Sequence, residues 1–271
     1  MKLSFSTLGC PDWSFTQILK NARDYGYSAI ELRGVQGVMR ADKLTCLQPE
    51  NEAETKSLLA EYGLKICGFG SSADFHDPAR FEAGVEEVKA AVPVCQRMGI
   101  PNVRVFGNSF NKDSRREATD RVIAGIDALC DFSKDADLNI ILEVHGDFNT
   151  SEALTPIIAA LKHHANFGVL WDIANSDIVY GDRFPEFYHV IAPYIRHVHV
   201  KDHIRATGQL CRFGEGDVPI KDIVRILLDG GYDGYFSLEW EKKWHPELAE
   251  PEIAFPAYVE FMQGLKNRVK S

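Results

Sequence analysis

Eight short apolar segments recur along the chain, each followed by a longer stretch with helical periodicity, and the alternation runs from one end to the other. The strand-like segments fall at 3–7, 29–33, 64–70, 102–107, 139–145, 168–172, 195–201 and 235–240. The helical ones fall at 14–25, 50–62, 78–98, 114–136, 151–165, 183–193 and 218–229, with a last one after Pro251. Near-continuous apolar strands are those buried on both faces, as in parallel sheets covered by helices. Eight such units close into a barrel more readily than they extend an open sheet, and 271 residues suits a barrel of about 250. The expectation is α/β, a single (β/α)8 barrel domain over 1–271.

Local signals support the element boundaries. Asp12 or Ser14, Asp77 before Pro78, Asp113 or Ser114, and Thr150 or Ser151 are placed to cap helix starts. Gly26, Gly63, Gly99 and Gly230-Gly231 follow helix ends, where a left-handed residue is favoured. Pro93 lies within a helical stretch and is expected to kink or divide it. The first turn, TLGCPDW, lacks the Gly-rich fingerprint of a dinucleotide site.

Net charge is −9, which disfavours a nucleic-acid backbone as partner, since phosphate neutralisation needs clustered Lys and Arg. No run of about eighteen apolar residues is present to span a membrane. The start, LSFSTLGC, is too short and too polar for a lipoprotein leader ending at Cys10, and reads as a first strand. Cys10, Cys46, Cys67, Cys95, Cys130 and Cys211 form no C-x-x-C pair and sit mostly in apolar segments, as reduced thiols of a cytoplasmic protein do.

Function is written at the strand ends. ILEVHG, GVLWDI, RHVHVKD and FSLEWE each close on a polar residue: Glu143, Asp172, His199 and Glu239. A carboxylate or imidazole there is costly to desolvate unless something pairs with it. Period two puts Glu143 and His145 on one face, and likewise Asp172, then His197, His199 and Lys201, then Ser237, Glu239 and Glu241. Glu31, Arg33 and Arg104 share that parity. Three carboxylates and an imidazole at one mouth suit a divalent cation, with oxygen-rich coordination favouring Mn²⁺, then Mg²⁺, Co²⁺ or Zn²⁺. Glu31 is expected either to neutralise Arg33 or Arg104 inside the barrel or to touch substrate. Residues 202–217 read as a long Gly-containing loop at the mouth, with Arg205 and Arg212 available to an anionic group, and Trp13, Phe106, Trp244 and His245 as walls. His197 reads as structural, and His163-His164 as a solvated helix end.

On IELRG, LEVHGD, LWDIANS, HVHVKDH, FGEGDVP and SLEWE the chain resembles the xylose-isomerase-like barrels, a superfamily of sugar and sugar phosphate isomerases and epimerases with related dehydratases. The resemblance implies Glu143, Asp172, His199 and Glu239 as ligands of one divalent ion. It also implies Glu143 and Glu239 as the acid/base pair that moves a proton beside a carbonyl through a metal-stabilised enediolate. His145 and Lys201 match substrate-contact positions. Asn175 stands where many members carry a substrate-contacting His, a departure that blurs reaction type. The expected reaction is isomerisation or epimerisation of a sugar, sugar phosphate or cyclitol. Dehydration of a keto-cyclitol or dehydroshikimate-like acid is the rival. A hydrolase of the endonuclease IV branch would need further metal-binding histidines and a basic surface. The partner implied is a small carbohydrate or polyol, with no nucleic acid or membrane, and self-assembly of the chain is left open.

Overall fold

The computed structural model describes residues 1–110 and 115–269. Strands and helices alternate as β1 (Lys2–Phe5), α1 (Phe15–Tyr25), β2 (Ala29–Leu32), α2 (Glu52–Tyr62), β3 (Lys65–Asp74), α3 (Phe81–Met98), β4 (Asn102–Phe106) and α4 (Arg115–Phe132). They continue as β5 (Asn139–Glu143), α5 (Ser151–Leu161), β6 (Phe167–Asp172), α6 (Ile173–Tyr180), α7 (Phe184–Ile191), β7 (Ile195–Val200), β8 (Asp202–Ile204), β9 (Gln209–Cys211), α8 (Ile220–Asp229), β10 (Tyr235–Leu238) and α9 (Pro251–Val269). Eight parallel strands hydrogen-bond in the order β1-β10-β7-β6-β5-β4-β3-β2. The β1–β2 seam is drawn together by a parallel bridge between Ser6 and Glu31 and by the Ser28 N–H donating to Leu3 O at 3.0 Å. The result is a nearly closed (β/α)8 barrel.

The packing follows the alternation read from sequence. Outward strand residues such as Val103, Val105, Leu142, Val169, Trp171, Val198, Val200 and Leu238 are buried beneath helices. The inward parity instead carries Ser4, Glu31, Arg104, Glu143, Asp172, His197, His199 and Ser237, all at 2% exposure or less. Such a polar lumen persists only because these groups satisfy one another. Ser14 caps α1 by accepting from the Gln17 N–H, and Thr150 caps α5 by accepting from Ala153. Gly26, Gly63 and Gly99 end α1, α2 and α3 in the left-handed conformation. Asp77 instead accepts from the Ala79 N–H in the turn ahead of α3. The expected caps at Asp113 and Ser114 lie outside the described residues.

Three expectations are revised. Pro93 does not divide α3, which runs from Phe81 to Met98 with Val92, Val94 and Cys95 buried around it. Tertiary packing holds the helix despite one missing donor. The 202–217 segment is not loop alone: β8 and β9 pair antiparallel, Asp202 with Cys211 through Ile204 with Gln209. A helix the periodicity did not announce, α6, starts directly after β6, with Asp172 as its N-cap.

Candidate active site

The four polar strand ends meet. Glu143 closes β5, Asp172 closes β6, His199 is the penultimate residue of β7, and Glu239 follows β10. All lie at the C-terminal mouth, where barrel enzymes place their chemistry. Register brings them level, with Asp172 paired to His199 across β6–β7 and His199 to Ser237 across β7–β10. One ligand atom from each of the four lies within 4.8 Å of every other. Glu143 Oε2, Asp172 Oδ2 and His199 Nδ1 are buried without a hydrogen-bond partner. A buried cluster of carboxylate oxygens and one imidazole nitrogen, mutually close, fits a divalent cation.

Each donor is aimed by a second interaction. Asp172 Oδ1 accepts from the Asn175 N–H at 2.9 Å, capping α6, so Oδ2 is turned toward the lumen. His199 Nε2 lies 2.9 and 3.0 Å from the two oxygens of Glu31, which leaves Nδ1 facing Glu239 Oε1 at 3.3 Å. Glu31 is also contacted by His197 Nε2 at 2.9 Å and accepts from Ser237 Oγ at 2.7 Å. Among the described residues Glu31 therefore makes no ion pair with Arg33 or Arg104, one of the two roles the sequence suggested; it holds an imidazole from behind. Burial alone would raise its pKa, but His199 and His197 outweigh this and keep it well below the usual carboxylate range.

Lys201 Nζ sits among carboxylates, 2.7 Å from Glu239 Oε2, 2.6 Å from Glu241 Oε1 and 2.9 Å from Asp172 Oδ2. Against burial, Asp172, Glu239 and Glu241 raise its pKa well above normal. Burial, helped by Glu239 and Glu143, pushes Asp172 up to about 7 against the pull of Lys201. Burial likewise raises Glu143 in spite of Arg104. Glu239 moves the other way: His199 and Lys201 overcome its burial and hold it well below the ordinary value.

The opposite wall is cationic. Arg104 Nε is 3.1 Å from Glu143 Oε2, and its guanidinium lies 3.7 Å from the centre of the Phe106 ring. Arg33 donates to Ser72 Oγ at 3.1 Å. Gly70 makes room for both, since a Cβ there would stand 2.6 Å from Arg104 Nη2 and 2.8 Å from Arg33 Cδ. Burial, with Arg104 beside it, lowers Arg33 to about 10. His145 packs against Phe106 with ring centres 4.9 Å apart, and its buried Nδ1 has no hydrogen-bond partner. Asn175 donates from Nδ2 to Val144 O at 3.0 Å, tying α6 to β5 beside the site.

Two residues expected around substrate are placed elsewhere. Trp13 is buried against Phe255 at 5.6 Å and donates to Glu252 Oε1, so it belongs to the packing of α9. Arg205 is not free for an anion: its Nε and Nη2 each donate to Asp177 at 2.9 Å, and Nη2 also reaches Asp182 at 3.1 Å. Burial of an acid on α6 decides that pairing. His197, Ser237 and Glu241 take larger parts than sequence reading gave them, although the inward parity of each had already placed them at the lumen. His164 is less solvated than expected, its Nε2 lying 2.8 Å from Asp127 Oδ1.

Comparison with known proteins agrees with this architecture. Fructoselysine 3-epimerase of Shigella flexneri is 22% identical over 264 residues, covering 88% of this chain and 90% of its own. The crystal structure of a D-tagatose 3-epimerase-like protein superposes with a TM-score of 0.78 at 19% identity, covering 100% of this chain and 98% of its own. That of the probable 3-DHS dehydratase involved in petrobactin synthesis from Bacillus anthracis gives 0.78 at 21% identity, covering 97% and 99%. The model of the xylose isomerase-like TIM barrel family matches residues 19–260, and the chain belongs to that family.

Proposed function

We propose that this protein is a divalent-metal-dependent isomerase or epimerase of a sugar, sugar phosphate or cyclitol. The observation that carries the reading is the buried quartet, with one donor atom from each residue within 4.8 Å of every other. The similarity to a fructoselysine 3-epimerase supports the choice of reaction. Glu143, Asp172, His199 and Glu239 would hold the ion, with Mn²⁺ ahead of Mg²⁺, Co²⁺ and Zn²⁺. When bound it would supply Lewis acidity to the oxygens of a carbonyl and its neighbouring hydroxyl.

The protein's own groups account for the rest. Glu143 and Glu239 enter from β5 and β10 and serve as the acid/base pair. One takes the proton from the carbon beside the carbonyl, and the C–H electron pair moves into the carbon framework. Return of a proton to that carbon from the other face inverts it; return to the adjacent carbon isomerises. Lys201 fixes Glu239 and Asp172 and offers positive charge to a developing oxyanion. His145 and Asn175 line the substrate's approach. Six free cysteines, four of them buried, accord with a cytoplasmic setting. Among the described residues no helix is long and apolar enough to cross a membrane.

His145 favours one second reading. Its unpartnered Nδ1 could protonate a departing β-hydroxyl, which turns the same proton abstraction into dehydration. Solvent-deuterium incorporation across ketoses, cyclitols and keto acids, with and without Mn²⁺, tests the proposal. Metal-dependent exchange at carbon without loss of water supports it. Ultraviolet appearance of an enone instead selects dehydration, and no exchange with any compound rejects both.

A further inference from the structure

A groove of about 660 Å³ opens beside the quartet and is shared with it only at the edge. Lys201 and Asn175 form its inner border, and none of the four quartet residues lines it. Trp240, Leu248 and Leu210 provide apolar wall, and Ile178 of α6 stands at the entrance 67% exposed. The volume falls in the range that buries a drug-sized ligand, more than a monosaccharide seated on the quartet would occupy. The rim carries unengaged charges of both signs, since Arg212 and Glu215 make no side-chain hydrogen bond or ion pair among the described residues.

The groove is built rather than incidental. Its outer wall is the β8–β9 hairpin, folded around Asp202, whose carboxylate accepts from the N–H groups of His203, Gly214, Gly216 and Val218 at 2.9–3.3 Å. At Gly216 a Cβ would stand 2.1 Å from Asp202 Oδ1, so the wrap demands glycine. Asp177 of α6 then pins the hairpin through Arg205 and through His203 at 3.1 Å. On the inner side, Trp240 donates to Ala249 O at 2.9 Å and stays fixed. A pre-formed compartment of mixed polar and apolar lining, joined to the reaction site through Lys201 and Asn175, suits the remainder of a larger substrate.

We propose that the substrate is a sugar conjugate: the reacting carbons sit at the quartet, and an appended group with an apolar stem and a polar end lies in this groove. This rests on the function proposed above and names the class of molecule it acts on. The test compares kcat/KM, read as solvent-deuterium exchange with Mn²⁺, for unsubstituted ketoses and for ketoses substituted at either end, as 1-alkylamino-1-deoxy and 6-O-alkyl derivatives. At least a tenfold preference for a substituted ketose is expected. Leu210→Trp, which fills the groove, and Ile178→Asp, which charges its exposed entrance on the opposite wall, should each cut that preference tenfold or more. Free ketoses turned over as efficiently as conjugates would overturn the inference and leave the proposed function standing. A preference unmoved by both variants would do the same. No exchange with any member of the panel would overturn the inference, and no exchange with cyclitols and keto acids as well would overturn both.

Discussion

At the scale of single residues, Asp172 and His199 of the proposed metal quartet each have two jobs. Asp172 spends one oxygen on the cap of α6 and keeps the other for the lumen. His199 turns Nε2 to Glu31, which fixes the ring and leaves Nδ1 facing Glu239. Groups behind a ligand commonly contribute about 10–100-fold in metal affinity. Glu31→Gln should therefore weaken Mn²⁺ binding by that order in calorimetry, and equal affinity in the variant would reduce Glu31 to a packing role. Glu239→Gln keeps size and hydrogen bonding but cannot take a proton. Its exchange rate should fall by about 10²–10⁴-fold while circular dichroism is unchanged, as expected for loss of a positioned acid/base group; undiminished exchange refutes the assignment. Much of this was readable in advance, because period two alone puts Glu143, Asp172, His199 and Glu239 on the inner face. What parity cannot reveal is which inward residue faces which across the lumen. Glu31 looked matched by charge to Arg33 and Arg104, but closure of the barrel sets β2 opposite β7 and β10, so its partners are His197, His199 and Ser237.

Among the elements, the β8–β9 hairpin and α6 are the least legible from sequence. Strands of three residues are too short to show a period, and α6 begins with no linker after β6. Their coupling has a pH signature. Burial would raise Asp177, but His203 and Arg205 prevail and lower it below the usual carboxylate value. A depressed acid contributes stability that is complete above the unfolded value of about 4 and is lost as pH falls through the folded one. The stability deficit of Asp177→Asn, from urea unfolding, should thus be largest at pH 7 and shrink at about pH 3. A deficit independent of pH would show that ionisation of Asp177 does not anchor the hairpin.

For the whole molecule, the polar lumen is a store of electrostatic conflict. Burial raises Glu143 and Asp172 while Lys201 and His199 are held charged close by, an arrangement a divalent ion would relieve. Binding to the folded state alone stabilises by about 2.7 kcal/mol at one hundred times Kd. For a chain of this size that is a rise in Tm on the order of 5 °C, reversed by chelator. No difference between Mn²⁺-loaded and chelated protein in calorimetric scans would argue against a structural stake for the ion.

The hairpin at the mouth is knotted about its own Asp202, and its side-chain tie to α6 runs through Asp177. That makes it a cassette. Its remaining sequence can change so long as Asp202, Gly216 and the His203 and Arg205 partners of Asp177 survive. Selectivity in such a scaffold is then free to diversify at the doorway without disturbing the reaction chamber beneath it.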